Sequence, residues 1–190
     1  PLQKNKRTAV SSGHGIGKTG LGAAAIHWFL ATRPRPAIIA TANTENQLKG
    51  KLWRELAKIN VHAKNKEWFE WKTMSFTMFG DVTSQAVALP WSDSNPDAFQ
   101  GTHEDHVLGL FDEGSSIPRS IWNAFAGAMS TPGARWLALG NPTAAEGYFF
   151  DACHGKLKAL RPGDTERGLW ASIVVGCAQS PFVDPSYIAD

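Results

Sequence analysis

The chain of 190 residues has only two cysteines, Cys153 and Cys177. It therefore has neither a disulfide framework nor a C-x-x-C metal pair. That favours a reducing, intracellular setting over a secreted one. Long apolar runs are missing too: none approaches the roughly 20 residues that span a bilayer. The opening, PLQKNKRTAV, is polar and basic and has no signal-peptide core. Net charge is slight, +2, and does not by itself call for a nucleic-acid partner. There is no internal repeat and no low-complexity tract.

Apolar residues, by contrast, make up 43% of the chain, enough for a sizeable buried core. One large domain, or one with a small appendage, is expected. Eight tryptophans are many for this length. Core packing is the plain reading, and a base-stacking surface is the alternative. The first motif lies close to the start, which suggests a piece of a longer chain.

Strand-like and helix-like segments alternate. RTAVSS (7–12) reads as a strand running into glycines. GKTGLGAAAIHWFLATR reads as a helix that stops before Pro34. AIIATA (37–42) is apolar throughout, as in a strand covered on both faces. Thr44 and Gln47 are spaced as a capping box, and Leu48, Leu52, Leu56 and Ile59 follow at helical spacing. Further strands are expected at 84–91, 106–113, 134–142 and 169–176, with a helix over SIWNAFAGAM. This order argues for a mainly parallel sheet between helical layers, with sites at the carboxyl ends of its strands.

The motifs fall at such ends. SSGHGIGKTG ends in Gly17-Lys18-Thr19, the tail of a phosphate-binding loop, with a strand before it and a helix after. Such a loop aims backbone N–H groups and a helix N-terminus at phosphate oxygens. Ser12, Gly13, His14, Gly15, Ile16, Gly17, Lys18, Thr19 and Gly20 are the candidate nucleotide contacts. Lys18 suits the phosphates and Thr19 suits Mg²⁺. Ser12 stands where a glycine is usual, tolerable if its side chain points outward. His14 is either a γ-phosphate or neighbour contact, or plain solvent-exposed surface.

VLGLFDEGSS places Asp112 and Glu113 at another strand end. Asp112 is the candidate Mg²⁺ ligand, and Glu113 the candidate activator of the attacking water. Adjacent acids here favour ATPases that perform mechanical work over small-molecule kinases. WLALGNPT ends a third strand, where Asn141 is suited to the γ-phosphate or lytic water, or belongs to a plain turn.

SSGHGIGKTG, ATANTENQLKGKLWREL, FDEGSSIP and LGNPT, in this order, resemble the ATPase domain of the tailed-bacteriophage terminase large subunit. The resemblance runs from about residue 7 to 150, and more weakly through the closing CAQSPFVDPSYIAD. It implies an additional-strand (ASCE/RecA-like) P-loop NTPase with a three-layer αβα fold. The implied function is ATP hydrolysis with Mg²⁺, driving double-stranded DNA into a procapsid. The implied partners are DNA, other copies in a ring, the portal protein and the small terminase subunit. The implied location is the cytoplasm of the infected host, docked transiently on the portal, with no membrane contact. Residues 1–190 are expected to form one ATPase domain, with about 150–190 as a lid or linker. The nuclease domain usual in the family is expected to lie outside this sequence. Gln3 sits too near the loop to be the family's adenine-contacting glutamine. Arg119 and Arg135 are candidates for an arginine finger, though either suits an ordinary surface position.

Weaker signals remain. His103 and His106 form a possible metal pair, against a solvated loop. Glu70 and Lys72, with Asp81, form a possible nuclease set. Lys49, Lys51, Arg54, Lys58, Lys64 and Lys66, interleaved with Trp53, Trp68 and Trp71, suggest phosphate contacts to DNA, against a solvated face. A helicase-like ATPase and a slow nucleotide-binding switch are the rival functions.

Overall fold

The β-branched stretch Arg7–Ser12 forms β1, and the glycines after it open directly onto α1 (Lys18–Thr32). The computed structural model describes residues 2–92, 104–161, 164, 168–184 and 186. Helix α1 ends where Arg33 turns extended ahead of Pro34. Strand β2 (Pro36–Thr41) is buried at every position, as its unbroken apolar run requires.

The capping box forms. Thr44 Oγ1 accepts from the Gln47 backbone N–H, and Gln47 Oε1 accepts from the Thr44 N–H, each at 3.1 Å. One turn of helix, α2 (Glu45–Gln47), leads into a π-helical segment, Leu48–Trp53, and then into α3 (Arg54–His62). Leucine periodicity locates this helix but does not reveal its wider turn. A π-helical turn carries about one extra residue per turn and is frequent at functional sites.

Two short strands, β3 (Phe69–Trp71) and β4 (Ser75–Met78), were not expected from the sequence. Three or four residues are too few to display a period. Strand β5 (Asp81–Ala88) starts earlier than expected and stops ahead of Pro90, which has no N–H to donate. Then come β6 (His106–Phe111), α4 (Arg119–Ala128), β7 (Arg135–Gly140), the unexpected α5 (Tyr148–Cys153) and β8 (Ala171–Val175).

The eight strands form one sheet in the order β3-β4-β5-β2-β6-β7-β1-β8. All pairings from β5 to β8 are parallel; β4 runs antiparallel to both its neighbours. Strand β7 lies between β1 and β6, which makes it the additional strand. Ser11 pairs with Gly140, and Phe111 with Ala138. The phosphate loop, Asp112 and Asn141 therefore leave the sheet at the same edge.

Alternation along the central strands divides the core. Leu108, Leu110, Leu137 and Leu139 face α1 and α3. Val107, Phe111, Trp136 and Ala138 face the layer of α4 and α5. Four tryptophans, Trp53, Trp122, Trp136 and Trp170, are buried, and the half-buried Trp28 and Trp91 pack against the core, so core packing accounts for six of the eight. Trp68 and Trp71 are exposed near β3. The basic stretch is partly paired, Lys49 with Glu45 and Lys58 with Glu55. Lys51, Arg54 and Lys58 are exposed and line an open cleft beside the phosphate loop. Among the described residues, no helix is long and apolar enough to cross a membrane.

Candidate nucleotide-binding site

Between β1 and α1 the chain must turn sharply with its amides pointing outward. Gly15 and Gly17 make this possible at φ 71° and 90°, a region that residues with a Cβ avoid. Ser12 does not point outward, contrary to the expectation. It is the last residue of β1, pairs with Val175, and is 2% exposed with its hydroxyl unpartnered. Its side chain fits because it is small, so the missing glycine is absorbed by the strand. Gly13 lies against Cys177, whose sulfur occupies the space a Cβ would need.

Lys18 folds back on the loop. Its Nζ donates to Gly13 O at 2.5 Å and to Ser12 O at 3.4 Å. Burial pulls its ammonium below the usual lysine range, and the charges of Asp112 and Cys177 oppose this. Lys18 thus holds a half-buried positive charge on neutral carbonyls. His14, Gly15, Lys18 and Thr19 line one side of a cleft of about 430 Å³; Asp112, Glu113 and Asn141 are also in its wall. Ile16, Gly17 and Gly20 line the adjoining cleft beneath Arg54.

Asp112 is 6% exposed, and burial pushes its carboxyl above the usual range. The Glu113 N–H donates to its Oδ1 at 3.1 Å and opposes that shift; the charges of Lys51 and Lys18 do so more weakly. A buried acid of this kind calls for a cation. Glu113 has a left-handed backbone, φ 56° and ψ 44°, one of two such non-glycine residues among those described. The strain sits in the candidate site. Asn141 Nδ2 donates to His14 Nε2 at 2.6 Å, while Asn141 Oδ1 is buried without a partner. The Ser115 hydroxyl donates to Asn141 O, tying the ends of β6 and β7 together.

The fold adds two residues that the motifs did not identify. Gln47 Nε2 donates to Glu113 Oε2 at 2.6 Å, and Lys51 Nζ to Glu113 Oε1 at 3.3 Å. The same Gln47 side chain caps α2 through its oxygen and grips Glu113 through its nitrogen. The capping box was visible in the sequence, but the second contact spans 66 positions. Lys51 emerges from the π-helical segment.

Other candidates lie elsewhere. Arg119 pairs with Asp151 at 3.2 Å and covers the Tyr148 ring; Arg135 caps carbonyls at the start of β7, the far end of the sheet. Neither lines the cleft. Asp81 accepts from the Thr83 and Ser84 hydroxyls at 2.6 Å, which lowers its carboxyl to about 2, and it anchors a turn. His103 lies outside the described residues, among which no group of three or more His, Cys, Asp or Glu is placed to hold a metal.

The two cysteines give a direct check on loop packing. Cys153 is fully buried, and burial pushes its thiol up to about 12. Cys177 is half-buried against the phosphate loop, its Sγ donating weakly to His14 O at 3.9 Å. A thiol reagent followed by mass spectrometry is expected to label Cys177 and spare Cys153 at pH 8, because the thiolate is the reacting form. Bound nucleotide should slow labelling of Cys177. Labelling of Cys153 in the folded protein would contradict this packing.

A strand, a glycine-rich loop and a Lys-Thr helix start, with an acidic pair two strands away across an additional strand, give the additional-strand P-loop NTPase fold. No family model matches the chain. It is 30% identical over 197 aligned positions to the probable terminase large subunit of Enterobacteria phage P7, an alignment covering 98% of this chain and 38% of that protein. The chain thus spans well under half the length of this relative. Among solved structures, it matches the large terminase of a thermophilic bacteriophage in complex with ADP at TM-score 0.72 and 15% identity, over 98% of this chain and 44% of that one. It also matches the large terminase ATPase domain of Thermus phage P74-26 at TM-score 0.57 and 18% identity, over 84% and 67%. At these identities the structures speak for the fold. The chain is thus similar in sequence to a phage terminase large subunit, and its fold is that seen in the large terminase ATPase domain of Thermus phage P74-26.

Proposed function

We propose that this chain is an ATPase domain that hydrolyses ATP with Mg²⁺ to drive double-stranded DNA into a viral procapsid. The observation that carries this reading is the convergence on one cleft of Lys18 and Thr19 from one side and Asp112, Glu113 and Asn141 from the other. The kinship to phage large terminases and the ADP bound by the thermophilic phage protein support it.

The residues fit the missing groups. Lys18 is half-buried, its Nζ bonded to backbone carbonyls, and a phosphate would replace them. Asp112 is a buried acid with no cation bonded to it among the described residues. Asn141 Oδ1 lacks a donor, which a water molecule could supply. When bound, ATP supplies the scissile phosphoanhydride and Mg²⁺ neutralises the charge that develops on it. Residues 13–20 bind the phosphates through their amides, Lys18 and the α1 N-terminus. Thr19 and Asp112 hold the metal. Glu113 orients a water molecule and takes its proton, once Gln47 and Lys51 release the carboxylate. Asn141 reads the γ-phosphate through the end of β7, and His14 restrains it.

On this reading residues 1–190 form one ATPase domain, with a nuclease domain elsewhere in the parent protein. The expected lid or linker at about 150–190 is instead part of the domain body, because α5 packs in the core and β8 pairs with β1 in the sheet. The partners are duplex DNA, further copies in a ring, the portal protein and the small terminase subunit, in the host cytoplasm at the procapsid portal. Lys51, Arg54 and Lys58 line the cleft beside the loop and are suited to phosphate rather than base contacts.

The test is ATP turnover with Mg²⁺ over a range of protein concentrations, with and without duplex DNA. Turnover is expected to rise faster than linearly with concentration, as a site completed by its neighbour requires. Nucleotide binding without turnover in the full-length protein would favour a switch. Strand separation of the duplex would favour a helicase.

A further inference from the structure

Phe149 stands in the first turn of α5 and is 3% exposed. Its ring lies against two glycines at the strand ends of the site. A Cβ on Gly114 would come within 2.6 Å of the ring, and one on Gly140 within 2.9 Å. Gly114 follows Glu113, and Gly140 precedes Asn141. A single ring therefore backs both turns, which the Ser115–Asn141 hydrogen bond already joins. Glu113 needs such backing, because a left-handed residue with a side chain stays so only when its surroundings enforce it.

Helix α5 is well anchored. Asp151 pairs with Arg119, the Ser172 hydroxyl donates to Cys153 O at 2.8 Å, and His154 Nε2 lies 3.3 Å from Ser11 Oγ. Tyr148 stacks on Trp122 with centroids 4.8 Å apart. These ties run to α4, β8 and β1, so the ring is held from three directions.

We propose that Phe149 is a positioning residue for hydrolysis, a wedge that sets Glu113 and Asn141 at a common spacing. It touches no nucleotide and acts through the turns it backs. The proposal rests on the reading of Glu113 as water activator and Asn141 as phosphate contact. Lys18 and Thr19 belong to α1, which packs on the opposite face of the sheet, so the wedge governs turnover and leaves nucleotide affinity alone.

The experiment compares Phe149→Ala, Phe149→Leu, Gly114→Ala and the double variant Gly114→Ala/Phe149→Leu in the full-length protein. Phe149→Ala should lower kcat by about ten- to a hundredfold, because small misplacements of catalytic groups cost that much. Its Kd for ADP should stay within about twofold, which separates turnover from binding. Phe149→Leu, which keeps much of the bulk, should retain most of the activity. Gly114→Ala should lower kcat by crowding the ring, and the smaller leucine in the double variant should restore it. Wild-type kcat in Phe149→Ala, or an equal loss of ADP affinity, would overturn the proposal. If Phe149→Ala does not fold, the Gly114 pair decides: a double variant no more active than Gly114→Ala overturns it. If the unsubstituted protein hydrolyses no ATP, the nucleotide reading fails and the wedge is judged by hydrogen exchange. Ser116 and Thr143, whose amides close the two turns on Glu113 O and Asn141 O, should then exchange faster together in Phe149→Ala than in the unsubstituted protein. Unchanged exchange at either would overturn it.

Discussion

Glu113→Gln is expected to bind nucleotide and fail to hydrolyse it. Turnover should fall by about 10²- to 10⁴-fold, the usual contribution of a positioned general base. The substitution is nearly isosteric, so the left-handed turn at φ 56° and the packing of Gly114 beneath it should survive. The Gln47 contact can persist, because an amide oxygen still accepts from Gln47 Nε2. What is lost is the acceptor of the water proton and the ion pair with Lys51. That pair is 3.3 Å long between exposed groups, so it contributes only about 0–1 kcal/mol to stability. Thermal melting should therefore change little while hydrolysis collapses. Measuring single-turnover ATP cleavage and ADP affinity side by side checks this. Turnover at the unsubstituted rate in a folded Glu113→Gln protein would remove Glu113 from the mechanism. The outcome also separates motor from switch: a switch has little hydrolysis to lose.

Phe111→Ala should have the largest effect on stability. Phe111 is fully buried at the end of β6, stacked on Trp122 at 4.3 Å and Trp136 at 5.3 Å, with the Phe125 edge at 4.6 Å. Truncation leaves a cavity among rigid rings that cannot close over it. The expected cost is about 3–5 kcal/mol, the range for buried phenylalanine. Set against a total of about 5–15 kcal/mol for a folded domain, that leaves the protein marginal. Asp112 and Glu113 follow directly in the chain, so nucleotide affinity should suffer in whatever remains folded. Urea unfolding followed by tryptophan fluorescence measures the loss. Phe111→Leu should cost clearly less, because most of the volume is kept. Equal losses for the two variants would mean that ring stacking, rather than filled volume, holds this face.

The central strands and α1 could be read before the fold because their signals are local. An unbroken apolar run such as AIIATA needs cover on both faces, and glycines followed by Lys-Thr suit only a sharp turn onto a helix. Strands β3 and β4 and helix α5 could not be read so. Three to six residues cannot display a period, and each of these elements is defined by what it packs against. The π-helical segment was hidden for a related reason: leucines four apart suit either helix. Ser12 was misread because its environment is set by β8, 160 or so positions away in the chain.

The sequence by itself determined the layered α/β architecture, the phosphate loop and the acids and Asn141 at the neighbouring strand ends. These depend on alternation, glycine placement and residue chemistry within short windows. Only the tertiary structure decided what surrounds them: the grip of Gln47 and Lys51 on Glu113, the His14–Asn141 contact and the Phe149 ring behind both turns. These contacts join residues far apart in the chain, and they form only once β7 inserts between β1 and β6 and the helices close on the sheet. Local propensity carries no record of which distant side chain will arrive; burial and the ordering of strands supply it.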